Sequence, residues 1–113
     1  MPYINGPFLG RLVFWGLAMY IVILKYLKPI EDVERLTVPH RAYLDELYAK
    51  NVLLISGPQV PRTGGILVAR SMDVGALWAH LKLDPFYTEG IAEYQVIEFK
   101  AVKSHEALKD LVG

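Results

Sequence analysis

Val52–Arg70 reads VLLISGPQVPRTGGILVAR, two short apolar runs around a stretch rich in glycine and proline. Val52–Ser56 and Ile66–Arg70 are dense in branched aliphatic residues and too short for helices, so each reads as a strand. Gly57-Pro58 stops the first and Gly64-Gly65 precedes the second, which is turn chemistry. The stretch is therefore predicted to be a β-hairpin with a long loop. Its place in the chain decides the fold, because a helix pattern lies on either side of it.

Upstream, Thr37 to about Lys50 has the helical period: His40, Tyr43, Leu44, Leu47 and Tyr48 fall at i, i+3, i+4, i+7 and i+8 and make one stripe. Thr37 is the expected N-cap, with Pro39 in the first turn and Arg41/Asp45 and Glu46/Lys50 as i,i+4 pairs on the outer face. Ile30–Leu36 reads as a charged connector. Before it, Tyr20–Tyr26 (YIVILKY) suits a central strand ending near Lys28-Pro29. Downstream of the hairpin, a second helix is expected from Ser71 or Asp73, presenting Val74, Leu77, Trp78 and Leu81, and closing before Asp84-Pro85. A last strand follows from about Tyr94 to Val102. The order β-α-β-β-α-β is the ferredoxin-like α+β signature, a four-stranded antiparallel sheet with two helices on one face. The strands carry apolar residues on both faces, so a second copy of the chain is expected to cover the open one, as a homodimer of α/β barrel type.

The 113 residues, 53% apolar, allow one compact domain. Twelve basic and twelve acidic residues cancel, which argues against nucleic acid or an anionic membrane surface as partner. The absence of cysteine excludes disulfides, thiolate metal sites and a cysteine nucleophile, and fits a cytoplasmic location. Leu12–Leu24 is an uncharged run between Arg11 and Lys25, short for the roughly 20 residues of a spanning helix. Residues 1–18 are read as an appendage preceding a start at Met19, residues 19–102 as the domain, and residues 103–113 as a C-terminal tail or helical turn.

In this topology Thr37–His40, Ser56–Gly65 and Asp84–Thr88 meet at one end of the sheet. His40, Asp84, Ser56, Gln59 and Arg62 would then share a cleft walled by Tyr43, Phe86 and Tyr87. A first-turn imidazole would face the positive end of the helix macrodipole, which disfavours its charged form. An aspartate on one ring nitrogen would fix the tautomer and stabilise the imidazolium formed when the other nitrogen takes a proton. The candidate catalytic pair is His40 and Asp84. Arg62 could clamp an anionic group, with Ser56 or Gln59 orienting it and Tyr43 and Phe86 lining the site.

From Met19 to about Val102 the sequence resembles the YciI-like family. The matching residues are His40 in PHRAYLDEL, the hairpin SGPQVPRTGG, and Asp84 in DPFYTEGIAEYQVIEF. The resemblance implies a small dimeric α/β protein with a histidine–aspartate pair proposed as catalytic. Residues 1–18 have no counterpart in the family pattern.

Each residue also has a plainer use. His40 could extend the core stripe, Asp84-Pro85 could open a turn, Ser56 lacks a G-x-S-x-G elbow, and Arg62 could be a solvated side chain. His80 and His105 have no metal-ligand spacing, Gly64-Gly65 fits neither phosphate-loop pattern, and the strands lack the aromatic pattern of RNA-recognition domains. Two readings follow: a small cofactor-free and metal-free enzyme doing acid/base chemistry of isomerase, dehydratase or lyase type, or a non-catalytic dimeric module that binds a small molecule in the same cleft.

Overall fold

The computed structural model describes residues 18–112. The elements run β1 (Ala18–Tyr26), α1 (Ile30–Ala49), β2 (Leu53–Pro58), β3 (Gly64–Ala69), α2 (Val74–Leu81), a short α3 (Pro85–Thr88) and β4 (Ala92–Lys100), with a 3₁₀ turn at Glu106–Leu108. The four strands form one antiparallel sheet in the order β2-β3-β1-β4, an α+β arrangement compatible with the ferredoxin-like expectation. No helix of the described residues is long and apolar enough to cross a membrane. The reading of residues 1–18 falls outside the described residues except at Ala18, which opens β1.

One sheet face holds the core. Tyr20, Val22 and Leu24 of β1 are buried with Leu67 and Ala69 of β3 and Ala92 and Tyr94 of β4. Against them pack Val33, Leu44 and Leu47 of α1 and Leu77 and Leu81 of α2, so the helices share one side of the sheet. On the other face the register sets Ile21 beside Val68 and Ile97, and Met19 beside Phe99. Ile55, Ile97 and Phe99 remain 65%, 41% and 43% exposed there.

The first helix differs from the sequence expectation. It begins at Ile30, so Ile30–Leu36 is helical and not a connector. Pro29, at φ −59°, holds the N-cap position, and Glu31 and Asp32 put negative charge in the first turn, where the macrodipole favours it. Fully buried Val33 starts the apolar stripe seven residues before His40, a stripe that the surrounding charges obscure in the sequence. Thr37 is no cap; its hydroxyl donates to the Val33 carbonyl at 2.8 Å within the helix. Pro39 likewise lies inside the helix and has no N–H for the carbonyl four residues earlier. Neither expected i,i+4 pair closes; the ion pairs made by this helix are Arg35–Asp32 and Glu34–Arg62.

Asn51, at φ 61°, takes the left-handed position after α1 and lets the Val52 N–H reach the Leu47 carbonyl at 2.8 Å. The hairpin strands extend further into the loop than the sequence suggests, leaving residues 59–63 between them. Gly64 is required by close approach: a Cβ there would sit 1.9 Å from the Leu24 carbonyl oxygen. Leu47 is fully buried at the centre of the core, whereas Val38 on the same helix is 77% exposed. Leu47→Ala is expected to lower the unfolding free energy by about 2–5 kcal/mol and Val38→Ala by less than about 0.5 kcal/mol, read from urea midpoints.

Candidate active site

His40 lies midway along α1, so the macrodipole, which acts over a terminal turn, is not what sets its chemistry. The local control is Asp84. Its Oδ1 sits 2.8 Å from His40 Nδ1, and the imidazole stacks parallel on Phe86 with ring centroids 3.8 Å apart. Asp84 reaches this place through its own backbone. The following proline holds it extended (φ −66°, ψ 132°), and it caps α3, with Oδ1 accepting the Phe86 N–H at 2.9 Å. The turn-forming use of Asp-Pro and the histidine contact are thus made by one side chain. From β4 the Tyr94 hydroxyl donates to Oδ2 at 2.7 Å.

Asp84 is 1% exposed, and both its oxygens accept hydrogen bonds. With Oδ1 as acceptor the network assigns the proton to Nδ1, which puts the lone pair of the neutral ring on Nε2. No buried side-chain nitrogen or oxygen among the described residues lacks a hydrogen-bond partner, and Nε2 makes none, so Nε2 is the nitrogen that reaches open space.

That space is a cavity of about 380 Å³. One wall is a face of α1 running from Thr37 through His40 and Leu44 to Tyr48, with Arg41 and Asp45 on the rim; Phe86 closes the His40 end. The floor is sheet: Leu24 and Tyr26 of β1, Gly65 and Leu67 of β3, and Ser56 and Pro58 of β2. Arg62 enters from the hairpin loop, 3.5 Å from Thr37 Oγ1 and 3.7 Å from Glu34. The three expected segments therefore converge. His40, Ser56, Arg62 and Phe86 line the cavity, and Asp84 stands behind His40. Among the described residues no group of three or more histidines and acids is placed to hold a metal ion.

Three expected members are elsewhere. Tyr43 turns to α2, donating its hydroxyl to the His80 carbonyl at 2.6 Å, because its position on α1 faces the neighbouring helix. Gln59 is not in the cavity lining; its backbone N–H pairs with the Gly64 carbonyl, and its side chain lies over the space that Gly64 leaves free. Tyr87 packs edge-on against Tyr94 at 5.3 Å. Sequence reasoning also missed two residues. Tyr48 packs against the core as its place in the stripe predicts, and its hydroxyl also pairs with Ser56 Oγ at 2.5 Å on the cavity wall. Tyr94 had a usable signal: β4 alternation puts it on the helix face opposite Leu24, and a buried phenol there must find a partner.

Burial first, then the charge of Asp84 and the hydrogen bond to it, push the Tyr94 phenol far above its ordinary value near 10. Burial and the same carboxylate also raise Tyr43. A phenol raised in the folded state contributes stability that is complete below pH 10 and is lost as pH climbs above it, because only the unfolded chain then releases the proton. Tyr94→Phe is expected to lose about 1–3 kcal/mol at pH 8, from the donor missing on a buried carboxylate, and to flatten the decline between pH 9 and 11 in urea unfolding.

Residues 19–100 match the family model described as the YCII-related domain. The chain has no match among curated proteins. Among solved structures it is similar to 5-chloro-2-hydroxyhydroquinone dehydrochlorinase (TftG) from Burkholderia phenoliruptrix AC1100, in complex with 2,5-dihydroxybenzoquinone. That similarity has a TM-score of 0.63 at 20% identity, over 73% of this chain and 93% of the other, and is a likeness of fold. With the family model spanning nearly all of β1 through β4, this chain belongs to the YCII-related domain family.

Proposed function

We propose that the chain is a small cofactor-free enzyme in which His40 exchanges a proton with a small organic substrate, in an isomerase, dehydratase or lyase type of reaction. The observation that carries this reading is the 2.8 Å contact of His40 Nδ1 with buried Asp84 while Nε2 opens on the cavity. Nε2 takes a proton from a substrate C–H or O–H, and Asp84 stabilises the imidazolium without itself taking the proton. The same nitrogen then returns the proton to another substrate atom or to a leaving group. Electrons stay within the substrate, so the step needs no oxidant or reductant. The dehydrochlorinase with this fold supports the lyase form, since loss of hydrogen chloride removes a proton together with chloride.

A second copy of the chain is the proposed cover for the open sheet face, where Ile21, Ile23, Ile55, Ile97 and Phe99 form a patch across the strands. Ile97→Glu is expected to convert a dimer to a monomer in sedimentation velocity, and a wild-type chain sedimenting as a monomer would overturn the assembly.

The chemical reading is tested by incubating the protein with hydroxylated ring compounds and small carboxylic acids in D2O and following deuterium uptake or loss of a leaving group by mass spectrometry. Any activity found should fall by at least about a hundredfold in His40→Ala, with the far-ultraviolet spectrum preserved. Turnover unchanged by that substitution would sink the proposal. Ligand binding with no turnover across the panel would favour the non-catalytic module.

A further inference from the structure

Tyr48 and Ser56 bring two hydroxyls together 2.5 Å apart on the cavity wall. Each hydroxyl has one proton, and their mutual bond consumes one of the two. The other proton is left for an outside oxygen, and no further protein partner takes it among the described residues. This pair is a second polar station in the cavity, separate from His40. His40 and Tyr48 stand eight residues apart on α1, roughly 12 Å along its axis, with both side chains tilted in the same direction. From Thr37, which Arg62 contacts, to Tyr48 the rise is roughly 16 Å, more than a single ring with para oxygens and a hydrogen bond at each end spans.

The opposite end carries charge. Arg62 contacts Thr37, one turn before His40, and its contacts to Thr37 and Glu34, at 3.5 and 3.7 Å, are long and partly exposed, which leaves most of its five donors for another group. Between the two ends Leu24, Leu44 and Leu67 make the wall apolar around His40, with Arg41 and Asp45 on the rim. Gly65 contributes no side chain to this floor, and its nearest atom to a built Cβ is the Gly57 carbonyl at 3.3 Å.

We propose that the cavity is a two-ended slot for an elongated aromatic acid, with a carboxylate at Arg62 and a phenol-type oxygen at the Tyr48–Ser56 pair. This deepens the acid/base reading above and rests on the same cavity. It also adds a position to that chemistry. His40 is about one turn from the Arg62 end and about two from the hydroxyl pair, so the proton it handles belongs to the chain beside the carboxylate, not to the distal oxygen.

The test measures dissociation constants by calorimetry on the full chain for four probes: 3-(4-hydroxyphenyl)propanoate, 3-phenylpropanoate, 4-hydroxyphenylacetate and 4-hydroxybenzoate. The first is expected to bind about tenfold more tightly than both 3-phenylpropanoate, which lacks the phenol, and 4-hydroxybenzoate, which is too short. The double variant Tyr48→Phe/Ser56→Ala, which removes both protons, should erase the preference for the phenol while leaving 3-phenylpropanoate binding within about twofold. Arg62→Gln should weaken all four acids by about tenfold. Affinity independent of length, a phenol preference that survives the double variant, or no binding of any probe would overturn the proposal. Because binding is read without turnover, such a failure leaves the acid/base reading to its own experiment, and loss of that reading leaves the slot standing.

Discussion

A carboxylate removed from water is among the most unfavourable things a small domain can bury, and Asp84 is tolerable only because three donors meet it. They come from three places: the middle of α1, the backbone of α3 and the outer strand β4. Satisfying one charge therefore fixes the spacing between the helix layer and the sheet at the end where the cavity opens. The same requirement orients His40, since a ring that donates through Nδ1 and stacks on Phe86 has its remaining nitrogen directed to the cavity. Core packing positions the elements, and the Asp84 contacts convert that coarse placement into a defined geometry at one nitrogen.

The pair gains its character from this division of labour. Asp84 is buried behind His40 and reaches the cavity only through it, and Tyr94, one step further back, is bonded to Asp84. A chain of phenol, carboxylate and imidazole runs from the buried side of the sheet to the cavity. Its charged centre is enclosed on all sides by fixed donors, which is the condition under which an electrostatic contribution is largest and reorganisation smallest.

Much of this was legible in the sequence because the fold-deciding signals are local. The hairpin was readable from glycine and proline placement, and β1 from its aliphatic run. The three-segment convergence followed from topology, and it put His40, Asp84, Ser56 and Arg62 near one another correctly. What was not legible depended on contacts between distant residues. The N-terminal half of α1 was hidden because its charges outnumber its apolar positions until Val33 finds the core, and Thr37 and Pro39 imitate a helix start that the structure does not make. Tyr43 and Tyr48 have equivalent places in a helical stripe, and only the packing of α2 and β2 decides that one meets a backbone carbonyl and the other a serine in the cavity.

The hydrogen bonds to Asp84 link positions 44 residues apart on one side and 10 on the other, with the second partner on the last strand of the sheet. The contacts that orient the His40 ring are therefore complete only with the last strand in place. Without β4 in place Asp84 lacks one of its three donors, so the geometry at the cavity belongs to the whole sheet and not to α1 alone. Under the proposed function, activity would report directly on the completeness of the fold.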